Sequence, residues 1–306
     1  MPPTADDVNW PGVHGVRLTG EPIAVGYGSG TPLTSAEVRF GVVAAPDGDR
    51  LWSQPGEAGA LFRRPDGRFV LTGPTGPQLE VDVPEATITV APGKDAVQRQ
   101  LVASFGVPLL LHGLDVLMVH GSACVYGGEA VVVCADSGSG KSSVLVRLVD
   151  EGWQSVSEDL CVIDLRPARP QVWPGPPWVR VHHGEPGPVG VDQAFTSADK
   201  DAWDVSATHA TAPTAVARVV LLDAPGGESP VIEPLPHADA LRVLARHAVW
   251  LHEPADRGRH LFGPVAKVAS SVPAVRVRLP RRAGWRDGVA AVLASAASAA
   301  SAASTT

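Results

Sequence analysis

The feature that most constrains this chain is a glycine-rich turn between an apolar run and a helical pattern. Residues 130–134 read AVVVC, residues 135–142 read ADSGSGKS, and residues 141–151 carry apolar side chains at helical spacing. Glycines let successive backbone N–H groups face inward, and the beginning of a helix adds partial positive charge there. A strand, loop and helix of this composition are typical of a Walker A phosphate-binding loop.

The loop predicts contacts to a nucleotide and its metal ion. Lys141 is expected to reach the β- and γ-phosphates, and the hydroxyl of Ser142 to ligate Mg²⁺. Ala135 stands where the pattern has its first Gly, and its side chain restricts that residue to negative φ. The alternative is an ordinary Gly/Ser turn between strand and helix. The predicted nucleotide-binding residues are Asp136, Ser137, Gly138, Ser139, Gly140, Lys141, Ser142 and Ser143.

An acidic pair follows the loop closely along the chain. Glu158 and Asp159 stand directly before the apolar run LCVI at residues 160–163, which predicts a strand. The strand that follows the loop helix is therefore expected to deliver two carboxylates to the phosphate site. In most P-loop proteins the acidic strand comes after a further crossover, so the close spacing discriminates among P-loop families. The alternative for this pair is a solvated turn.

His120, the loop and the acidic pair together resemble the catalytic core of HPr kinase/phosphorylase and its relatives. That family has a His on the strand before the loop, then the loop, then an Asp–Asp pair at similar spacing. The resemblance implies an α/β P-loop core related to phosphoenolpyruvate carboxykinase. It also implies transfer of the γ-phosphoryl group of ATP, with Mg²⁺, to a serine-type hydroxyl. It is strong over residues 116–166 and looser to about residue 285.

Carried over by position, the resemblance implies a role for each matched residue. Glu158 is the expected general base, Asp159 with Ser142 is expected to hold Mg²⁺, and His120 to lie beside the phosphates or the base. Glu158 is one methylene longer than the family's Asp, which weakens any inference about the reverse, phosphorylase reaction. A single His at a strand end is otherwise more often a hydrogen-bonded structural residue.

Further charged residues are candidates for the same site. Arg180 resembles an Arg that the family places on a strand lining the acceptor site, and its fork suits phosphoryl charge, so it is predicted to be catalytic. Lys200 lies in a polar segment where related kinase-like proteins often carry a Lys. Arg257 and Arg259 lie in a segment predicted to be a mobile loop. The alternative for each is an ordinary surface residue.

Short alternating runs separated by Pro, Gly and Asp predict a small, mostly β N-terminal domain at residues 1–96. Residues 97–293 are predicted to form the P-loop kinase-like domain. The Ala/Ser repeat at residues 294–306 lacks large side chains to bury and is predicted to be a disordered tail.

Composition limits the possible partners and the location. The net charge of −7 with scattered Lys and Arg argues against nucleic acid as a partner. No apolar stretch reaches membrane-spanning length and no signal-like N-terminus is present, so the expected location is the cytoplasm, without a membrane contact. Cys124, Cys134 and Cys161 lie in apolar runs without CxxC spacing and are expected to be buried small hydrophobes.

The leading hypothesis is a phosphotransferase that uses ATP and Mg²⁺ to modify a hydroxyl of a peptide, protein or small molecule. Residues 178–184 match the longer signature of true HPr kinases poorly, so the acceptor is expected to differ from HPr. The family also makes a homo-oligomer a possible state. A second hypothesis is a non-catalytic ATP-binding regulatory or assembly module, which Ala135 and Glu158 favour. A third is an ordinary P-loop ATPase or GTPase, although no Asn-Lys-x-Asp base-reading motif is present.

Overall fold

The protein is a mixed α/β structure with large sheets and few helices, and its contacts divide it into two compact units. The first unit comprises Met1–Leu114 and Trp250–Arg259, and the second comprises Asp115–Val249 and His260–Thr306. The sequence analysis places a domain boundary at residue 96, whereas these units divide after Leu114. The computed structural model describes residues 10–21, 26–29, 31–53, 59–136, 138–197, 200–223, 228–252, 254–280 and 289–298.

The first unit is built mainly from one antiparallel-rich sheet. Its order, within the described residues, is β3-β1-β2-β4-β9-β8-β7-β6-β5. Apolar side chains alternate along these strands, as in β8, where Leu79 and Val81 are fully buried. The strands are β1 (Trp10–Val13), β2 (Val16–Gly20), β3 (Tyr27–Gly28), β4 (Thr34–Phe40), β5 (Asp49–Ser53), β6 (Ala60–Arg63), β7 (Phe69–Gly73), β8 (Gly76–Asp82) and β9 (Thr87–Val90).

A helical stretch follows the sheet in the first unit. It consists of α1 (Asp95–Leu101), a π-helical turn (Val102–Gly106) and α2 (Val107–Leu111). Gly106 permits a close approach to the sheet, because a Cβ there would lie 3.1 Å from Ile88 Cδ1 on β9. This packing explains why the helical pattern that was expected to open the second domain belongs to the first unit.

The second unit contains the glycine-rich turn. Its elements are β10 (Val116–Tyr126), β11 (Glu129–Cys134), α3 (Lys141–Asp150), β12 (Gln154–Ser157), β13 (Leu160–Asp164), β14 (Gln171–Trp173), β15 (Trp178–His182), β16 (Gln193–Thr196), β17 (Lys200–Asp204), a 3₁₀ turn (Ser206–Thr208), β18 (Thr214–Asp223), β19 (Val231–Pro234), α4 (His237–His247), α5 (Arg257–Ser271), β20 (Ala274–Arg278) and α6 (Val289–Ser298). A further 3₁₀ turn (Pro254–Asp256) and the first three residues of α5 belong to the first unit.

Two sheets organise the described part of the second unit. The larger has the order β11-β10-β13-β14-β18-β20-β19, with β12 paired to β10 and with β11 also paired to β18. Strands β11, β18 and β20 run parallel. The smaller sheet has the order β15-β17-β16. Parallel strands end at one edge of a sheet, so the turn after β11 lies at the edge where ligands commonly bind.

Strand β10 connects the site residues to this sheet. Its first half pairs with β13, where His120 lies opposite Leu160, and its second half pairs with β11, where Gly121 lies opposite Cys134. The partner change therefore falls between His120 and Gly121, next to both the loop and the acidic pair.

The three cysteines confirm the expectation of buried small hydrophobes. Cys124, Cys134 and Cys161 are at most 1% exposed and lie on β10, β11 and β13. Burial raises the pKa of the Cys124 and Cys134 thiols to about 12.

Helix α6 continues through Ser298, so the first residues of the Ala/Ser repeat are helical, as the high helix propensity of Ala favours. Residues 299–306 of the predicted tail lie outside the described residues. In the part of the chain that the structure describes, no helix has the length and apolar character needed to cross a membrane.

Candidate active site

The glycine-rich turn connects a strand of the larger sheet to a helix. It joins the end of β11 at Cys134 to the beginning of α3 at Lys141. Gly138 and Gly140 have φ angles of 78° and 88°, in the left-handed region that favours glycine. Ala135 is fully buried and is not among the described residues with positive φ, so the missing first glycine imposes no strain. Ser137 lies outside the described residues.

Lys141 and Ser142 contact residues from other strands. The Lys141 ammonium donates to the carbonyl oxygen of Ala135 at 3.0 Å, and its Nζ lies 3.2 Å from His120 Nε2. Burial lowers the pKa of Lys141, although the nearby carboxylates oppose this shift. The Ser142 hydroxyl donates to Glu158 Oε1 at 3.1 Å. The first residues of α3 thus meet the acidic pair directly.

Arg180 on β15 binds both carboxylates of the acidic pair. Its Nε donates to Glu158 Oε2 at 3.0 Å and its Nη2 donates to Asp159 Oδ2 at 2.8 Å. The side chains of Arg180 and Glu158 are 8% and 4% exposed, whereas that of Asp159 is 37% exposed. Burial alone would raise the pKa of Asp159, but the charges of Arg180 and His120 lower it below the usual value.

A strained turn makes this double contact possible. Asp159 has a φ of 73°, which is uncommon for a residue with a side chain, and the Leu160 N–H donates to the Glu158 carbonyl. Consecutive residues on a regular strand point to opposite faces. The turn instead lets the Glu158 and Asp159 side chains reach one guanidinium, and such strain is common at functional sites.

His120 lies between the loop lysine and the acidic pair. Its Nδ1 is 3.0 Å from the Asp159 carbonyl oxygen and 3.3 Å from Asp159 Oδ1, while its Nε2 faces Lys141. The pairing of β10 with β13 produces this arrangement, because it sets His120 opposite Leu160. The structure therefore brings His120, Lys141 and Asp159 together.

Three side chains that the sequence analysis did not identify contact the loop or the beginning of α3. Glu185 accepts a hydrogen bond from the Ser143 hydroxyl at 3.1 Å. Arg246 Nη2 donates to Asp136 Oδ2 at 2.9 Å, and His247 Nε2 lies 3.9 Å from Asp136 Oδ1. They belong to no recognisable motif and lie far from the loop along the chain, so local sequence offered no means of finding them.

Lys200, a further charged candidate from the sequence, lies on β17. Lys200 lies opposite His182 in the pairing of β15 with β17, and its charge influences the pKa of both Lys141 and Asp159. It therefore lies near the site.

Arg257 and Arg259 are exposed in the first turn of α5 and belong to the first unit. The prediction of a mobile loop there is wrong. The reason is that Val265, Val268 and Ala269 bury one face of a helix.

The oxygen ligands at the start of α3 fit a magnesium ion better than a softer metal. The hydroxyl of Ser142 and the carboxylate of Glu158 are the hard ligands that Mg²⁺ prefers, and Mg²⁺ typically takes only one or two carboxylates plus phosphate oxygens. Among the described residues, no group of three or more His, Cys, Asp or Glu side chains is placed to hold a metal ion. The remaining ligands would have to come from the nucleotide and water.

Comparisons with known proteins give matches among solved structures only. No protein-family model matches the chain, and no curated protein sequence matches it. Among solved structures, the chain is similar to the Hpr(Ser) kinase/phosphatase from Coxiella burnetii at 10% sequence identity. The match covers 57% of this chain and 90% of that chain, with a TM-score of 0.30. A similarity of this size supports no conclusion about family, residues or reaction.

Proposed function

We propose that this protein is a phosphotransferase that moves the γ-phosphoryl group of ATP to a hydroxyl of a peptide, protein or small molecule. The observation that carries the proposal is the convergence of the glycine turn, Lys141, Ser142 and two carboxylates at the end of β11. When bound, ATP supplies the phosphoryl group and Mg²⁺ neutralises phosphate charge. A cytoplasmic location and a homo-oligomeric state remain predictions.

The loop and the beginning of α3 fit a triphosphate. Gly138 and Gly140 have the left-handed φ angles that a phosphate-binding turn uses, and Lys141, which now contacts the Ala135 carbonyl, would exchange that partner for a phosphate. Ser142 and Glu158 would hold Mg²⁺, with Glu158 in the role that the sequence resemblance gives to Asp159. Residues 136–143 are thus the proposed nucleotide-binding segment.

The exposure of the two carboxylates favours Asp159 as the general base, which reverses the roles implied by the sequence resemblance. Ser142 and Arg180 contact the two Glu158 oxygens, and Arg180 and His120 contact the two Asp159 oxygens, but the Glu158 side chain is only 4% exposed. Asp159 is the more accessible carboxylate. Its lowered pKa keeps it ionised, and a loose phosphoryl-transfer transition state demands little basicity.

The proposed reaction is a single transfer of the γ-phosphoryl group from ATP to the acceptor oxygen. Asp159 accepts the proton of the acceptor hydroxyl while that oxygen bonds to phosphorus, and the bond between phosphorus and the departing ADP oxygen breaks. Lys141 and Arg180 face the negative charge on the transferring group, which is the main source of catalysis in this chemistry. His120 positions Asp159 and Lys141, because its Nδ1 contacts the Asp159 carbonyl oxygen and its Nε2 contacts the Lys141 ammonium.

A non-catalytic ATP-binding module is the second candidate. The observation that favours it is the pairing of Arg180 with both carboxylates, which neutralises the two groups that the chemistry needs. In the phosphotransferase, Arg180 would have to release Asp159 when the acceptor binds.

Transfer of ³²P from γ-labelled ATP tests the proposal. Wild type and the variants Lys141→Ala, Asp159→Asn and Glu158→Gln are incubated with Mg²⁺, a peptide panel and cell extract. Wild type is expected to label an acceptor, and Lys141→Ala and Asp159→Asn to lose about 100-fold or more in rate. Glu158→Gln is expected to raise the Mg²⁺ requirement by about 10-fold.

Two results would change the assignment. ATP binding by wild type without transfer to any acceptor would favour the non-catalytic module. Full activity of Asp159→Asn together with an inactive Glu158→Gln would return the base role to Glu158.

A further inference from the structure

The last turn of α4 places a basic pair beside the glycine-rich loop. Arg246 and His247 both approach Asp136, the second residue of the loop, at 2.9 Å and 3.9 Å. The two side chains differ in exposure, since His247 is 6% exposed and Arg246 is 69% exposed. The histidine is thus part of the packed interior, while the arginine extends over the loop.

Packing holds the backbone of Arg246 in place. Leu244 and Ala248, on either side of it, are buried in the hydrophobic core of the second unit. After the helix, Ala248 forms a β-bridge with Val119, and the Val249 N–H donates to the Met118 carbonyl at 2.9 Å. The turn that carries Arg246 is therefore fixed against the strand that carries His120.

The last turn of α4 also lies near Lys141. Ala248 bridges to Val119, the residue before His120, and His120 Nε2 lies 3.2 Å from Lys141 Nζ. The Lys141 ammonium is the group proposed to reach the β- and γ-phosphates. A guanidinium that reaches the loop from this turn would therefore be placed to contact the terminal phosphate.

The present partner of Arg246 is easily exchanged. The Arg246–Asp136 pair is solvent-exposed, and such pairs contribute little to stability. A triphosphate in the loop would bring several negative charges to the same place, and a guanidinium binds phosphate oxygens through two parallel hydrogen bonds.

We propose that Arg246 leaves Asp136 when ATP binds and contacts the terminal phosphate, where it stabilises the charge that develops during phosphoryl transfer. The inference rests on the proposed function and extends it by assigning a residue that belongs to no motif. Asp136 holds the arginine beside the loop in the nucleotide-free protein. An arginine supplied to a transferring phosphoryl group accelerates related reactions by about 10³-fold or more.

Nucleotide binding tests this proposal independently of the acceptor. The affinities of fluorescent N-methylanthraniloyl derivatives of ATP and ADP are measured with Mg²⁺ for wild type, Arg246→Gln and Arg246→Lys. Arg242→Gln is the matched control, because Arg242 lies one turn earlier on α4, is 76% exposed and pairs with Asp239. Thermal unfolding verifies that each variant is folded.

Arg246→Gln is expected to weaken ATP binding by about 10-fold while ADP binding changes less than about twofold, as loss of one charged contact to the terminal phosphate predicts. Arg246→Lys should recover part of the loss, and Arg242→Gln should match wild type. Equal ATP affinity of Arg246→Gln and wild type would overturn this inference alone. Failure of wild type to bind either nucleotide would overturn the proposed function as well.

Discussion

Arg180 balances the charges of both carboxylates in the site. It is buried together with Glu158 and reaches Asp159, which is more exposed. A carboxylate remains buried and ionised only when a partner compensates its charge. Removing one partner therefore lowers the free energy of unfolding by more than the pair as a whole contributes to it. Arg180 therefore has a structural role in addition to any role in chemistry.

Replacement of Arg180 by Met is expected to lower the free energy of unfolding by about 3–5 kcal/mol, because it leaves Glu158 buried and unpaired. Urea denaturation at neutral pH measures this loss. The control is Arg278→Met, which breaks the pair with Glu233 whose side chains are 41% and 47% exposed. That variant should lose about 1 kcal/mol or less.

The double variant Arg180→Met with Glu158→Gln separates charge from packing. It should recover part of the stability, since the neutral amide is less costly to bury than an unpaired carboxylate. Equal losses for Arg180→Met and Arg278→Met would contradict the buried-pair interpretation.

At the scale of elements, β10 is the strand that assembles the site. It changes partner between His120 and Gly121, and the Gly121 N–H donates to the Asp159 carbonyl oxygen at 3.2 Å. A Cβ at Gly121 would lie 2.8 Å from the Val133 carbonyl oxygen on β11. The close approach of these two strands therefore requires glycine at this position.

Gly121→Ala is expected to lower the free energy of unfolding by about 1–3 kcal/mol, because the added methyl group must push β10 away from β11. The control is Gly258→Ala in the first turn of α5, where an added Cβ meets no atom within 4 Å. This control should be neutral or stabilising by up to about 1 kcal/mol. Denaturation curves measure the free energy of unfolding of both variants. A Gly121→Ala variant as stable as wild type would show that β10 and β11 can move apart without cost.

At the scale of the whole molecule, a buried histidine couples stability to pH. His209 Nδ1 lies 2.8 Å from the Ser155 hydroxyl oxygen, and its Nε2 lies 2.9 Å from the Gly175 carbonyl oxygen. Burial lowers the pKa of His209 to about 4, from an ordinary value of 6.5. Between these values the unfolded chain binds a proton that the folded protein does not, so stability falls as the pH falls.

We expect His209 to account for a loss of at most about 3 kcal/mol between pH 7 and pH 4, as the difference between its two pKa values implies. Denaturation of wild type and His209→Gln at several pH values measures the slope, which should be smaller in the variant. His260→Gln, at an exposed position, is the control for the substitution itself. Wild-type stability that increased as the pH fell through this window would contradict the assignment.

Features that depend on local chemistry could be predicted from the sequence. Glycine is the residue that most readily adopts the left-handed φ angles found at Gly138 and Gly140, and the apolar run before them forms β11 as expected. The proximity of Lys141, Ser142 and the acidic pair could also be predicted, because these residues lie within one strand–loop–helix–strand segment. Alternating runs likewise predicted the strands of the N-terminal region.

The distant residues that meet at the loop were known only from the three-dimensional structure. Arg246 contacts Asp136 and Glu185 contacts Ser143 from elements remote in sequence, and Arg180 reaches both carboxylates of the acidic pair from β15. The helical stretch at residues 95–111 joined the first unit because Gly106 fits against β9. Local propensity is a property of adjacent residues, whereas these contacts arise from long-range packing, which residue spacing along a single sequence does not encode.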